Sequence, residues 1–202
     1  MAKIAIITGI SGQDGSYLSN LLIKKNYKVI GISNPKNKSK IKSNKIKIKK
    51  IDLNNFKKIS DLIKEIKPDE FYHLAAQSFI NYKFEDEFFK LNPNINGTHY
   101  ILSAIKKFSP KTRFYFAASS EIFGDAKSYP QNEKNEFNPR SAYGISKVAG
   151  FHITKNYREA YNIYSCSGIL YNHESSLRNK DFVSRKITSS VARILLKKQK
   201  KL

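Results

Sequence analysis

A short apolar run, Lys3-Ile4-Ala5-Ile6-Ile7-Thr8, leads into glycines at positions 9, 12 and 15 and then into an apolar helical pattern through Tyr17, Leu18, Leu21 and Leu22. Few folds accept that order. The run has the length and closure of a buried strand. Glycines at this spacing permit a tight turn, let the backbone approach a pyrophosphate, and allow a helix to pack closely on the strand. The helix N-terminus, with its unpaired N–H groups and positive dipole end, is then the seat of the phosphate. The spacing is G-x-x-G-x-x-G, a variant of the G-x-G-x-x-G device.

The rest of the chain repeats strand and helix. Lys28 to Ile32 reads as a second strand, the region of Ile46, Ile48 and Ile51 as a third, Glu70 to Leu74 as a fourth, 113–118 as a fifth and Ile163 to Leu170 as a sixth. Between them, Phe56, Ile59, Leu62, Ile63 and Ile66 mark a helix stopped by Pro68, Leu91 to Phe108 forms another with Gly97 at a close contact, and Tyr143 to Tyr161 a third. A helix is also expected to carry the chain to its end at Lys197-Lys-Gln-Lys-Lys-Leu202. Alternation of this kind calls for a parallel sheet with right-handed crossovers. The expected fold is therefore α/β, a Rossmann-like doubly wound parallel sheet with helices on both faces. Neither internal repeats nor a linker interrupts it.

Chemistry is expected at the fifth strand. Phe114-Tyr115-Phe116-Ala117-Ala118 delivers Ser119, Ser120 and Glu121 to a strand end, where active sites of open α/β sheets form. Tyr143 and Lys147, at i and i+4, share a helix face. An ammonium beside a phenol favours the phenolate and makes a tyrosine usable as a general base. Elsewhere, Asp52-Leu53 stands where an adenine edge is contacted, and Ala75-Ala76-Gln77-Ser78 offers small residues against which a cofactor can lie. The second strand ends at Ser33-Asn34-Pro35-Lys36-Asn37-Lys38, with no carboxylate to hold a ribose 2′-hydroxyl and two lysines to meet a 2′-phosphate. NADP is favoured over NAD, although this stretch also suits a plain Lys/Asn-rich surface loop. His73 is expected to be a packed strand residue, and the spacing of histidines and the one cysteine offers no metal site.

Composition narrows the setting. A lone cysteine, Cys166, permits no internal disulfide and fits a reducing, cytoplasmic environment. No apolar run reaches spanning length. The formal net charge of +21 comes from lysines scattered among Asn and Ile, with no stacking motif or recognition helix, so neither nucleic acid nor a membrane is an expected partner.

These motifs together resemble the extended short-chain dehydrogenase/reductases, and within them the GDP-mannose 4,6-dehydratase family. The resemblance rests on Thr8-Gly-Ile-Ser-Gly-Gln-Asp-Gly-Ser-Tyr-Leu18, Ala75-Ala-Gln-Ser78, Ser120-Glu-Ile-Phe-Gly124, Pro139-Arg-Ser-Ala-Tyr-Gly144, Asn156-Tyr-Arg-Glu159, Gly168-Ile-Leu-Tyr-Asn-His-Glu-Ser175 and Phe182-Val-Ser-Arg-Lys-Ile187, and it runs from Lys3 to Leu202. It implies that Tyr143, aided by Lys147 and Ser119, takes the C4 hydroxyl proton of GDP-mannose while hydride passes to NADP. Glu121 then removes the C5 proton, water leaves C6, and hydride returns there. Gly9, Ile10, Ser11, Gly12, Gln13 and Asp14, with Gly15, Asp52, Leu53, Leu74, Ala75, Ala76, Gln77, Ser78, Lys147, His173 and Arg178, would line the cofactor. Ser120, Asn172, Glu174 and Ser175 would face the nucleotide-sugar. His173 and Arg178 are equally consistent with ordinary loop residues.

The same resemblance implies a cofactor-binding domain over 1–170 and the beginning of a nucleotide-sugar lobe over 171–202. It implies a homo-oligomer, dimer or tetramer. Three features depart from the family pattern: Ser33-Asn34-Pro35 replaces an arginine-bearing loop that helps build the tetramer, Ser119 stands in place of threonine, and the chain stops at Leu202 where relatives continue. The stop is expected to leave apolar surface at the sheet edge and on the Tyr143 helix, with poor solubility. An NADP-holding chain without turnover, and an epimerase on the same scaffold, are the alternatives; Glu121 argues against the second.

Overall fold

The computed structural model describes residues 2–36, 44–76 and 84–201, apart from the side chains of 84–90. The chain divides into two compact units, Met1–Tyr171 and Asn172–Leu202.

In the first unit six strands, β1 (Ile4–Thr8), β2 (Lys28–Ser33), β3 (Ile46–Lys50), β4 (Glu70–His73), β5 (Arg113–Ser119) and β6 (Ser165–Leu170), form one sheet in the order β3-β2-β1-β4-β5-β6. Every ladder is parallel. Alternate side chains feed two cores. Ile6, Ile30, Phe71, Phe114 and Phe116 pack with Ile59, Leu62 and Ile63 of α2 (Phe56–Ile66), Ile101, Leu102 and Ile105 of α3 (Phe84–Phe108), and Tyr157 of α4 (Ala142–Tyr161). Ala5, Ile7, Val29 and Ile46 turn the other way, toward Leu22 and Leu18 of α1 (Gln13–Lys24). Helices thus cover both faces, as the alternating sequence requires. Strand order reverses at β1, whose neighbours are β2 and β4, and such a reversal opens a crevice at the carboxyl ends of the strands.

Caps set the helix limits. Asn55 accepts a hydrogen bond from the Lys58 amide at 3.0 Å to start α2, which ends where Lys67 turns left-handed before Pro68. Ser141 starts α4 by accepting from Gly144 N at 3.0 Å, and left-handed Asn162 ends it. β6 opens at Ser165 rather than Ile163, because the chain leaves α4 through that left-handed residue; Ile163 is buried nonetheless. The helix containing Gly97 is longer than its sequence pattern, beginning at Phe84 and passing through Pro93. An internal proline removes one hydrogen bond, and burial of Ile101, Leu102 and Ile105 downstream offsets that loss. Gly97 does lie at a close contact, against Leu53. In α1 the outward residues differ from the expected face: Tyr17 and Leu21 are each 50% exposed, while Gly15, Ser19 and Leu22 are buried.

The second unit holds one helix, α5 (Val183–Leu195), preceded by turns. It does not continue to the end of the chain, since Lys197 adopts a left-handed φ of 55° and breaks the helical repeat. Among the described residues no helix is long and apolar enough to cross a membrane.

Candidate active site at the carboxyl ends of the strands

The glycine turn occupies the crevice. Gly9 has a φ of +69°, a region open to glycine at little cost, and its carbonyl accepts from Gly12 N at 2.9 Å. A Cβ on Gly15 would come within 2.4 Å of that same carbonyl, so helix and turn approach each other as only glycine permits. Gly12 caps α1 without any side-chain hydrogen bond, and the hydroxyl of Ser11 is buried with no hydrogen-bond partner. First-turn N–H groups without a side-chain cap and an orphaned hydroxyl suit a phosphate group.

The turn is braced from β4. Thr8 and His73 are register partners on adjacent strands, with Thr8 Oγ1 and His73 Nδ1 2.7 Å apart. Thr8 Oγ1 also accepts from Ala75 N at 3.1 Å. The His73 ring is fully buried, and its pKa falls to about 3 through burial and, secondarily, the charge of Lys147. It is a neutral packed residue, as the sequence suggests. Leu74 and Ala75 therefore lie beside Gly9 and Ala76 follows them, whereas Gln77 and Ser78, like Lys38 after β2, fall outside the described residues. Asp52 follows β3 with Oδ1 accepting from Asn54 N at 2.9 Å, and Leu53 abuts Gly97.

At the other side of the crevice β5 ends with Ser119, whose hydroxyl accepts from Glu121 N at 3.3 Å and caps a single 3₁₀ turn over Ser120–Ile122. The Glu121 carboxylate accepts from Ser141 Oγ at 3.5 Å, so the first turn of α4 reaches the acid. One turn further on, Lys147 is only 3% exposed and donates from Nζ to Ala117 O at 2.5 Å. Its ammonium lies 5.5 Å from the centre of the Tyr143 ring and 4.9 Å from that of Phe116. Burial pulls the Lys147 pKa down to about 7. A cation so close to a phenol favours the phenolate.

A cleft of about 470 Å³ opens beside Glu121, lined also by Ser120, Gly124, Asp125, Gln131, Arg140 and Tyr171. Tyr171 donates to Gln131 Oε1 at 2.6 Å across it. Ser141, Arg140, Gln131 and Tyr171 were not singled out by sequence reasoning. Ser141 and Arg140 lie inside the Pro139-to-Gly144 segment, whose tyrosine alone drew attention. The structure thus gathers Ser119, Ser120 and Glu121 at one strand end and sets Tyr143 over Lys147. Asn172, His173, Glu174, Ser175 and Arg178 belong to the second unit. There Arg178 pairs with Glu174 at 3.6 Å and stacks on Phe182 at 3.8 Å, and Ser175 Oγ accepts from Leu177 N. Among the described residues no cluster of His, Cys, Asp or Glu has the makings of a metal site.

The sequence profile of the GDP-mannose 4,6 dehydratases matches residues 6–202. The chain belongs to that family. The GDP-mannose 4,6 dehydratase of Drosophila melanogaster is 43% identical over 207 residues, covering 95% of this chain and 52% of the fly protein. That of Yersinia enterocolitica is 42% identical, covering 96% and 56%. The chain spans about half the length of the curated relatives it matches. Among solved structures, dTDP-glucose 4,6-dehydratase of Bacillus anthracis, in complex with NAD, superposes with a TM-score of 0.79 at 18% identity, over 95% of this chain and 62% of that one. At that identity the likeness concerns the fold.

Proposed function

We propose that this GDP-mannose 4,6-dehydratase family member takes part in converting GDP-mannose to GDP-4-keto-6-deoxy-mannose with a nicotinamide dinucleotide, NADP in preference to NAD. The observation that carries the reading is a carboxylate, Glu121, held at a strand end by the helix that also bears the Tyr143–Lys147 pair. Oxidation at C4 alone requires only the pair. Elimination across C5 and C6 requires a second base, and Glu121 is placed for that work.

The bound nicotinamide would accept hydride from C4 and return it to C6. Tyr143, as phenolate, removes the C4 hydroxyl proton, and Ser119 hydrogen-bonds the same oxygen. With C4 a ketone, the C5 proton is acidic; Glu121 takes it and passes it to the C6 hydroxyl, which departs as water. When hydride returns to C6 the carbon at C5 regains a proton, balancing the one Tyr143 took, so that both bases are restored. Glycines 9, 12 and 15 and the Ser11 hydroxyl fit the pyrophosphate, with Asp52, Leu53 and the Leu74-Ala75-Ala76 backbone along the adenosine and nicotinamide. Residues 1–170 form the cofactor-binding domain in this reading. Residues 171–202 begin the nucleotide-sugar lobe, with His173 and Arg178 assigned to the cofactor and Asn172, Glu174 and Ser175 to the sugar nucleotide by resemblance alone.

The test is incubation of the purified chain with GDP-mannose and NADP, following the sugar nucleotide by mass for loss of one water. Loss of water that falls by about a hundredfold or more in Glu121→Gln, with NADPH binding retained, is expected for removal of a general base. Undiminished product in that variant would overturn the assignment of Glu121. Absence of product with the unaltered chain would overturn turnover by these residues alone.

A further inference from the structure

We infer that Phe116 is a positioning residue for proton transfer: its ring face keeps the Lys147 ammonium charged beside Tyr143, where a carboxylate would otherwise be needed. This role rests on the dehydratase reading above and adds the group that stands behind the Tyr143–Lys147 pair.

A buried ammonium stays charged only if something compensates for the water it has lost. Lys147 is 3% exposed, and among the described residues no carboxylate pairs with it. Its hydrogen bond to Ala117 O engages one of its three N–H groups. The ring centre of Phe116 lies 4.9 Å from Nζ, and that of Tyr143 lies 5.5 Å from it. Both fall within the roughly 6 Å over which the negative face of a ring attracts a cation. Tyr143 changes its own charge during the reaction. Phe116 cannot, so its attraction is the same at every step.

The fold pins this ring from two sides. Phe116 is the register partner of His73 on β4, and their ring centres are 5.9 Å apart. On α4, a Cβ at Gly150 would overlap Phe116 Cζ, so the helix leaves a notch beside Lys147 that the ring occupies. Packing alone does not demand an aromatic there. Phe114, two residues earlier and in the same core, packs on Phe71 and His73, and among the described residues no cation stands over its ring. The two phenylalanines differ in the ammonium. Around Lys147 the other charges are accounted for. His73 is neutral, its pKa lowered to about 3 first by burial and then by the charge of Lys147, so it sets no second cation against it. Glu121, from the 3₁₀ turn after β5, is held by Ser141 at the head of α4. The neighbouring strand β6 and helix α3 contribute uncharged Ser167 and Asn94.

Phe116→Leu and Phe114→Leu in the purified 202-residue chain separate the ring's charge effect from its packing. Each removes one buried ring, but only the first removes it from beside a cation. Folded Lys147 titrates at about 7, and the stability penalty of burying it lifts as pH rises through that value. Without the ring face its pKa is expected to fall by about one further unit. The climb of melting temperature with pH should then begin about one unit lower in Phe116→Leu and at its ordinary place in Phe114→Leu. Dehydration of GDP-mannose by Phe116→Leu is expected to lose about fivefold in kcat at pH 7, as the ammonium fraction drops, and to recover most of it near pH 5.5. Trifluorophenylalanine at position 116, which keeps the ring's shape and drains its face, should shift the onset in the same direction with little loss of stability. An onset that is the same in all these chains, or that moves as far in Phe114→Leu, would overturn the role of Phe116. A shifted onset with no dehydration even by the unaltered chain would support the ring's hold on Lys147 and overturn the dehydratase reading alone.

Discussion

The two halves of the sheet hold their ends of the crevice by opposite means. From β1 to β3 the work is done by backbone and by missing side chains: Gly9 supplies a left-handed turn, Gly15 a close approach, and Gly12 an N-cap with no side chain of its own. From β4 to β6 it is done by side chains forced into place: Lys147 is buried to reach Ala117 O, and Glu121 is tethered to Ser141. On the function proposed above, the first half would meet a pyrophosphate, whose shape and charge are fixed, and needs only room and N–H groups. The second would, in the same proposal, move protons, which requires groups whose charge can change, and burial is how their affinities are shifted. One half is limited by space and the other by electrostatics.

The largest effect that separates them is expected from Lys147→Met. Folded Lys147 titrates at about 7 against an ordinary 10.5, so between these pH values the unfolded chain carries a proton that the folded chain has released. Raising the pH through that window therefore stabilises the fold, by about 1 kcal/mol per pH unit from this group, and the penalty is full below about pH 7. Lys147→Met is expected to abolish dehydration while raising the melting temperature at pH 6 and flattening its climb toward pH 10. A variant that is less stable at pH 6 would show that the buried ammonium is not a burden on the fold. Gly15→Ala comes next. Its methyl would sit 2.4 Å from Gly9 O and 2.7 Å from Ile10 Cα, both backbone atoms with little freedom to yield. A loss of about 3 kcal/mol by denaturant titration is expected from such overpacking, with NADPH binding lost alongside it and no dependence on pH. Normal NADPH binding by the Gly15→Ala variant would mean the turn has slack, and the first half would not be limited by space.

The same contrast decides what can be read from sequence alone. The glycine spacing, the alternation of strand and helix along the chain and the Tyr143–Lys147 pair are local signals, and local signals survive in sequence. The inward face of α1 does not: close packing on β1 demands Gly15 and Ser19 there, so the buried side looks weakly polar while Tyr17 and Leu21 point out. Ser141 is equally hidden. It acts on a residue 20 positions away, across a loop, and no periodicity encodes that distance. The end of α5 escapes a sequence reading because lysines favour a helix as readily as they favour solvent, and nothing in the run from Lys197 marks the left-handed residue that stops it.

The smallest expected effect sharpens the comparison most, because it asks the two halves the same question. Asn55 and Ser141 are both N-caps, each accepting one amide at 3.0 Å, one at the start of α2 and one at the start of α4. Asn55→Ala and Ser141→Ala are each expected to cost about 1 kcal/mol of stability, the ordinary loss of such a cap. Only Ser141 also touches Glu121. Ser141→Ala is therefore expected to slow dehydration about tenfold beyond anything Asn55→Ala does, mainly in kcat, because a carboxylate without its tether spends less time aligned with C5. Ser141→Thr, which keeps the hydroxyl, should recover most of that loss, whereas a purely structural cap would show stability recovered and the rate unmoved. If both alanine variants lose the same stability and neither changes the rate, the hydroxyl at the head of α4 is a cap like any other, and Glu121 is aimed by the Ser119 turn alone.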